Sequence, residues 1–395
     1  MTYLKCSLGL SWILVCLLAA FPARAQTAPG VTDKEILIGS CSALEGPSHF
    51  LGTETVTGAK AYFDMVNDAG GVDGRKLRLV SYDDSYDPAK TEACFNRLME
   101  QKVFALGFFV GTPTAVKYLP MAESNKIPLV GLFTGAQTLY TPLRHWVVNV
   151  RASYFDETRE QIDGLWGKLG YKKIGVIYPE DAFGAAVLDG VKAALKAHGA
   201  EPIAVGSYQR QTAQVGGAIA TVEAANPDAV VLVGPANTVA PILKQSHGKG
   251  WKPLFLTVSF VGADDLIQEA GADADGMVIT QVVPPYYLTE YKTVALYRRA
   301  LSKYFPSAQP NFVSLEGFVD AMVMVEGLKK AGKDLTREGL IRGIESIHDQ
   351  DIGLGPQLKL DYGPKDHKGF DHVLPTVIRG GRAVPFTDWS TAAPK

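Results

Sequence analysis

Short apolar runs alternate with helical-period segments from Glu35 to Thr280, and this alternation constrains the fold more than any other feature. Glu35-Ile36-Leu37-Ile38-Gly39 reads as a first strand. Val56, Ala59, Phe63 and Val66 then share one helical face, and Asn67 to Gly71 ends that helix on glycines. Strands follow at Lys76–Val80, Val103–Leu106 and Pro128–Gly131, with helices between them. The pattern restarts at Val147–Val150, with a helix expected over Phe155–Leu169. Strands are expected at Lys173–Tyr178, Ile203–Ser207, Asp228–Val233, Leu254–Leu256 and Met277–Thr280. Strands separated by helices predict parallel sheets covered on both faces. Two such sets predict an α/β protein of two doubly wound lobes.

The last third breaks the alternation. Tyr291–Phe305, Phe312–Ala331 and Arg337–Ser346 read as consecutive helices. Gln357–Asp361 and Val373–Pro385 read as β-hairpin material, with Gly380-Gly381 as a turn. These helices do not continue the second set, so the chain is expected to return to the first lobe and then cross back. Lobe 1 is expected over 26–149 plus 283–351, and lobe 2 over 150–282 plus 352–395. Crossings near 149, 283 and 352 would make a hinged clamp with a cleft.

The first 25 residues stand apart. Lys5 precedes an apolar run from Cys6 to Phe21, and Ala23-Arg24-Ala25 ends it, the pattern of a cleavable export signal cut after Ala25. The run is shorter than the roughly 20 apolar residues that span a bilayer. Without Lys5 and Arg24 the chain carries 37 basic and 41 acidic residues, a net charge of −4. A mildly acidic exported chain does not suit nucleic acid, which demands a basic face. The expected mature protein is a periplasmic monomer. Of four cysteines, Cys41 and Cys94 outlast the signal; an exported pair suggests one disulfide, with two buried thiols as the alternative.

Catalytic and cofactor motifs are missing: there is no G-x-S-x-G, G-x-x-x-x-G-K-[ST] or H-E-x-x-H. No cofactor and no metal are expected. Gly70 to Lys76 precedes a strand and reads as a turn; Asp83 to Pro88 reads as a helix start. Asp366-His367 and Asp371-His372 read as a solvated loop. By contrast, Gly111-Thr112-Pro113-Thr114 and Thr134-Gly135-Ala136 each follow a strand, where hydroxyls and backbone N–H groups can meet a ligand.

These loops are part of a longer ordered set: Ala43 to Pro47, Asn67 to Lys76, Asp83-Asp84, Gly111 to Thr114, Phe133 to Ala136, Val150 to Tyr154, Asp181 to Gly184, Ser259 to Gly262, Thr280 to Pro284 and Leu315 to Phe318. In this order the chain resembles the type I periplasmic solute-binding proteins of ABC transporters, in the branched-chain amino-acid (Leu/Ile/Val) binding family. The resemblance implies a receptor that clamps a small solute and passes it to an inner-membrane ABC permease. It places the ligand carboxylate on Gly111, Thr112, Phe133 and Gly135, with Thr134 a further ligand-binding candidate and Leu51 in the first loop. Tyr154, Phe183, Asn237, Ser259 and Phe260 line the other side.

Two departures bear on the ligand. The loop Thr257 to Gly262 lacks the acidic residue that pairs with an amino-acid ammonium in relatives, and Glu45 stands where a small hydroxyl residue is usual. Glu45 is either a replacement partner for the ammonium or a solvated carboxylate. Phe133, Phe183 and Phe260 suggest an apolar ligand body. The leading expectation is an amino-acid-like solute bearing a carboxylate or amide, with a sensing module that does not transport as the alternative. An enzyme is the weaker class, since no nucleophile–base set is visible.

Overall fold

The computed structural model describes residues 28–393 apart from Asp334, together with Thr2. The expected export signal and its expected cleavage after Ala25 lie outside the described residues, Thr2 excepted. A first set of elements is β1 (Glu35–Ser42), α1 (His49–Asp68), β2 (Lys76–Asp83), α2 (Pro88–Glu100), β3 (Ala105–Gly107), α3 (Thr112–Ser124), β4 (Leu129–Val130) and β5 (Val147–Val148). Its strands form an all-parallel sheet in the order β2-β1-β3-β4-β5. Both faces are covered, and every residue of β3, β4 and β5 is buried.

The second set is α4 (Tyr154–Asp163), β6 (Ile174–Pro179), α5 (Ala182–Ala197), β7 (Ala204–Tyr208), α6 (Gly216–Glu223), β8 (Ala229–Leu232), α7 (Ala236–Gly248), β9 (Leu254–Val258), α8 (Ala263–Ala270) and β10 (Val278–Gln281). The helix expected over Phe155–Leu169 runs as α from Tyr154 and finishes in a π-helical turn over Gly164–Leu169.

Then come α9 (Lys292–Tyr304), α10 (Phe312–Ala331) and α11 (Arg337–Glu345), followed by β11 (Gln350–Asp351), β12 (Lys359–Leu360), β13 (Leu374–Arg379) and β14 (Arg382–Pro385). Helix α10 packs along α1, so closely that a Cβ on Gly58 would lie 1.8 Å from the Ser314 carbonyl oxygen. The late helices thus cover the first sheet. β13 and β14 join the second sheet antiparallel, extending it to seven strands in the order β14-β13-β10-β9-β8-β6-β7.

The segment Gln357–Asp361 departs from its expected place. β12 pairs only with β11, away from the hairpin of β13 and β14. Leu354, Leu358 and Leu360 are buried, Tyr362 N–H donates to the Ile347 carbonyl, and Thr293 N–H donates to Gly353. Apolar burial holds this stretch against the late helices. His367 departs as well: it is buried, with Nδ1 2.9 Å from the Val147 carbonyl and Nε2 3.2 Å from Glu345. Its loop is pinned because it runs beside another stretch that passes between the sheets. Asn149 N–H donates to His367, Gly369 N–H to Asn149, and Phe370 N–H to Val150.

Cys41 in β1 and Cys94 in α2 form a disulfide, with their Cα atoms 6.0 Å apart. Asp87 caps α2 by accepting from the N–H groups of Ala89 and Lys90, and Pro88 opens the helix, as the sequence predicts.

Candidate functional site

The loops after β3 and β4 meet the loops of the second sheet across a buried aromatic wall. Each ring is placed by its own local device. A capping box, in which Ser153 Oγ and the Asp156 carboxylate each accept the other's backbone N–H, starts α4 and sets Tyr154 at its first position. Asp181 caps α5 by accepting from the N–H groups of Phe183 and Gly184, both at 2.9 Å, and so fixes Phe183. Phe260 sits in the single 3-10 turn Ser259–Val261 after β9.

Phe260 is the hub of the wall. Its ring centroid lies 4.5 Å from Phe183, 5.6 Å from Phe133 and 5.8 Å from Tyr86; Tyr154 is 5.4 Å from Phe183. All five are buried in one continuous apolar cluster drawn from both sheets. Backbone without side chains lets the rings come close. Gly111 has φ +97°, and a Cβ there would stand 1.9 Å from Tyr86 Cε2; a Cβ on Gly135 would lie 2.8 Å from the Tyr154 nitrogen.

Polar atoms face this wall in two groups. In the first, the hydroxyls of Tyr86, Tyr118 and Tyr154 are buried and make no hydrogen bond of good geometry, with Arg210 beside Tyr86 and Thr134 and the Gly135 backbone beside Tyr154. Burial raises all three pKa values, Tyr154 to about 12 and the others further, so each hydroxyl keeps its proton. Beside them Thr112 Oγ1 and Thr134 Oγ1 pair at 2.7 Å.

The second group centres on Arg151, which is 1% exposed. Its Nη2 donates to Glu157 at 2.9 Å and to Ser259 Oγ, and its Nη1 to Glu316 at 3.2 Å. Glu157 also accepts from Ser259 N–H at 2.7 Å and from Thr280 Oγ1 at 2.8 Å. Burial works against the Arg151 cation, but Glu316 and Glu157 more than compensate and raise its pKa. Burial likewise pushes Glu157 up, and Glu316 to about 7, against the pull of Arg151. The guanidinium lies 5.3 Å from the Phe133 ring centre and 5.6 Å from Tyr154, and its Nε has no partner.

Of the residues singled out in the sequence, Leu51, Gly111, Thr112, Phe133, Thr134, Gly135, Tyr154, Phe183, Ser259 and Phe260 are all buried. Leu51 faces Gly262 of the second sheet's loop. Several details differ from expectation. The Gly111 N–H donates to the Phe133 carbonyl and the Thr134 N–H to Leu132, so neither amide is free for an anion. Thr134-Gly135 leads into a 3-10 turn, Gln137–Leu139. Ser259 is engaged by Arg151 and Glu157. Glu45 is exposed on the rim, its N–H resting on Asp83 Oδ1, and is no member of the buried set. Asn237 is half-buried, with its Oδ1 lacking a partner.

Sequence reasoning missed Tyr86, Tyr118, Arg151, Glu157, Glu316 and Arg210. Arg210 reaches from the second sheet's side to the first, donating from Nη2 to the Tyr86 carbonyl at 2.8 Å and from Nε to Asp181 at 3.1 Å. A usable signal existed for Glu316: a carboxylate within the apolar run Phe312–Val325. Among the described residues, no group of three or more His, Cys, Asp or Glu side chains converges as a metal site would.

Known proteins share this fold. The family model described as periplasmic binding protein matches residues 35–379. A possible leucine/isoleucine/valine-binding protein from Rhodopirellula baltica SH 1 superposes with a TM-score of 0.87 at 32% identity, covering 94% of this chain and 100% of that one. A branched-chain amino acid ABC transporter protein from Thermus thermophilus with bound valine superposes at 0.79 and 20% identity, covering 91% and 97%. In sequence, the Leu/Ile/Val-binding protein of Escherichia coli K12 is 22% identical over 277 residues, 69% of this chain and 73% of its own length.

Proposed function

The chain belongs to the periplasmic binding protein family and is an extracytoplasmic solute-binding receptor; from that premise we propose that its solute is small, with a carboxylate or amide head and an apolar body, an aliphatic amino acid being the leading example. The observation that carries this reading is the trio of buried, unpartnered hydroxyls on Tyr86, Tyr118 and Tyr154 against a wall of rings drawn from both lobes. Buried polar atoms without partners are uncommon in native proteins, and a bound head group would supply the missing bonds. The Thermus thermophilus protein with bound valine and the Leu/Ile/Val-binding protein of Escherichia coli support a solute of this size.

In this reading the lobes open by rotation about the stretches at 149–150, 281–285 and 366–370, and close with solute between them. The closed monomer then docks on an inner-membrane ABC permease after a leader ending at Ala25 has been removed. The cleft binds without turnover.

A thermal-shift panel of amino acids, aromatic acids, short-chain acids and amides tests the reading. A cognate solute at 100 times its Kd stabilises the fold by about 2.7 kcal/mol. No shift across the panel would overturn it.

A further inference from the structure

Resting on the clamp reading, we propose that Arg210 is the latch of the cleft, holding the two lobes closed at the edge farthest from the hinge. Its place follows from strand order. The stretches at 149–150, 281–285 and 366–370 lie beside β5 and β10. In the first sheet four strand steps, β5-β4-β3-β1-β2, lead away from that side, and Tyr86 follows β2. In the second sheet four steps, β10-β9-β8-β6-β7, do the same, and Arg210 follows β7. Four spacings of roughly 4.8 Å put this edge about 19 Å from the crossings. A rotation of about 15° on that arm carries the edge about 5 Å, which parts any hydrogen bond across it. Arg151, which directly follows the first crossing, moves far less.

The contact at this edge suits a latch. Arg210 Nη2 donates to the Tyr86 carbonyl at 2.8 Å, and the guanidinium carbon lies 4.7 Å from the centre of the Tyr86 ring. Its Nε donates to Asp181 at 3.1 Å. Asp181 also caps α5 and fixes Phe183, so the ion pair keeps the guanidinium on the second lobe while Nη2 crosses to the first. The diverging donors of a guanidinium make both bonds at once in one fixed plane. The side chains of Arg210 and Asp181 are only 24% and 9% exposed, so salt screens the pair weakly. A charged donor makes the bond to Tyr86 stronger than a neutral one would. Arg210 also lines a small cavity with Tyr86, Phe183 and Tyr208, which sets the latch against the aromatic wall. Opening breaks only the contacts to Tyr86 and leaves the pair with Asp181 intact. Arg210 is thus a positioning residue that acts through the chain's own atoms, with or without a solute.

The test is pulsed electron–electron double resonance on the mature chain, freed of solute by unfolding and refolding. Spin labels go on one exposed position of each lobe, Glu100→Cys in α2 and Thr221→Cys in α6. Arg210→Met keeps an extended side chain and loses every donor. It is expected to move population to interlobe distances shifted by about 5 Å, the displacement given by the hinge arm. Arg210→Lys, which keeps the charge, is expected to shift less. An unchanged distance distribution in Arg210→Met overturns the latch. A lowered urea midpoint with unchanged distances overturns it too, and would make Arg210 a support for its own loop. The measurement uses no solute and so stands apart from the thermal-shift panel: a silent panel removes the receptor reading, and unchanged distances remove only the latch.

Discussion

The Arg151 network and the tyrosine cluster are both polar, both buried and both shared between the lobes, yet they are built to different ends. In the first, a cation meets two carboxylates, and Glu157 is further held by Ser259 and Thr280. In the second, three hydroxyls are held in place by rings and glycines and meet no partner. A satisfied network specifies one arrangement of the chain, whereas unsatisfied groups held rigid are what a ligand completes. On the proposed reading, adjacent clusters separate the task of holding the lobes from that of choosing a solute.

The largest effect expected from breaking this contrast is in the holding network. Arg151→Met leaves Glu157 and Glu316 buried without their cation and should destabilise the fold by about 3–5 kcal/mol, read by urea denaturation. A negligible change would mean that the network does not hold the lobes. Next is the aromatic wall: Phe183→Ala should weaken solute binding by about 1–3 kcal/mol, and unchanged affinity would remove Phe183 from the site. Smaller still is Tyr118→Phe. It removes a hydroxyl with no partner in the free protein, so stability should hold or rise slightly while solute affinity falls by about 1 kcal/mol. A loss of stability without a loss of affinity would move Tyr118 into the holding class.

The subtlest expectation concerns pH. Burial raises Asp84 and Asp265 to about 6 and Glu316 to about 7, with Glu269 adding to the rise at Asp265. Across the interval from the ordinary carboxylate range to these values, the folded state holds protons that the unfolded state has released. Stability from these groups is therefore full at low pH and declines as pH rises through 6 to 7. Urea midpoints at constant ionic strength should be higher near pH ~5 than near pH ~7.5. The opposite slope would show that these carboxylates are ionised in the folded protein.

The alternating architecture was legible because strands buried on both faces are written as runs such as Ile36-Leu37-Ile38 and Val230-Val231-Leu232, which few other environments tolerate. The wall was partly legible for a related reason: Phe133, Phe183 and Phe260 stand at strand ends, where a parallel sheet gathers its loops. The charged network was not. Glu316 stands 165 residues from Arg151, and Arg151 and Glu157, each taken singly, read as solvated positions of their loop and helix. Tyr86 was hidden differently, inside the helix-start pattern Asp83 to Pro88, where left-handed backbone at Ser85 and Tyr86 turns the ring inward. Pairing across lobes is tertiary information, and local periodicity does not carry it.

The return of the chain to its first lobe has a consequence for how the protein comes into being. α10 closes over α1 only after the five parallel strands of the second sheet have been synthesised, and the edge of that sheet at β10 stays unpaired until β13 emerges. Neither half can finish folding while the ribosome is still making the other, which gives the chain high contact order and slow completion. A polypeptide that cannot settle early remains threadable, which is the condition a chain must meet to cross a membrane before it folds.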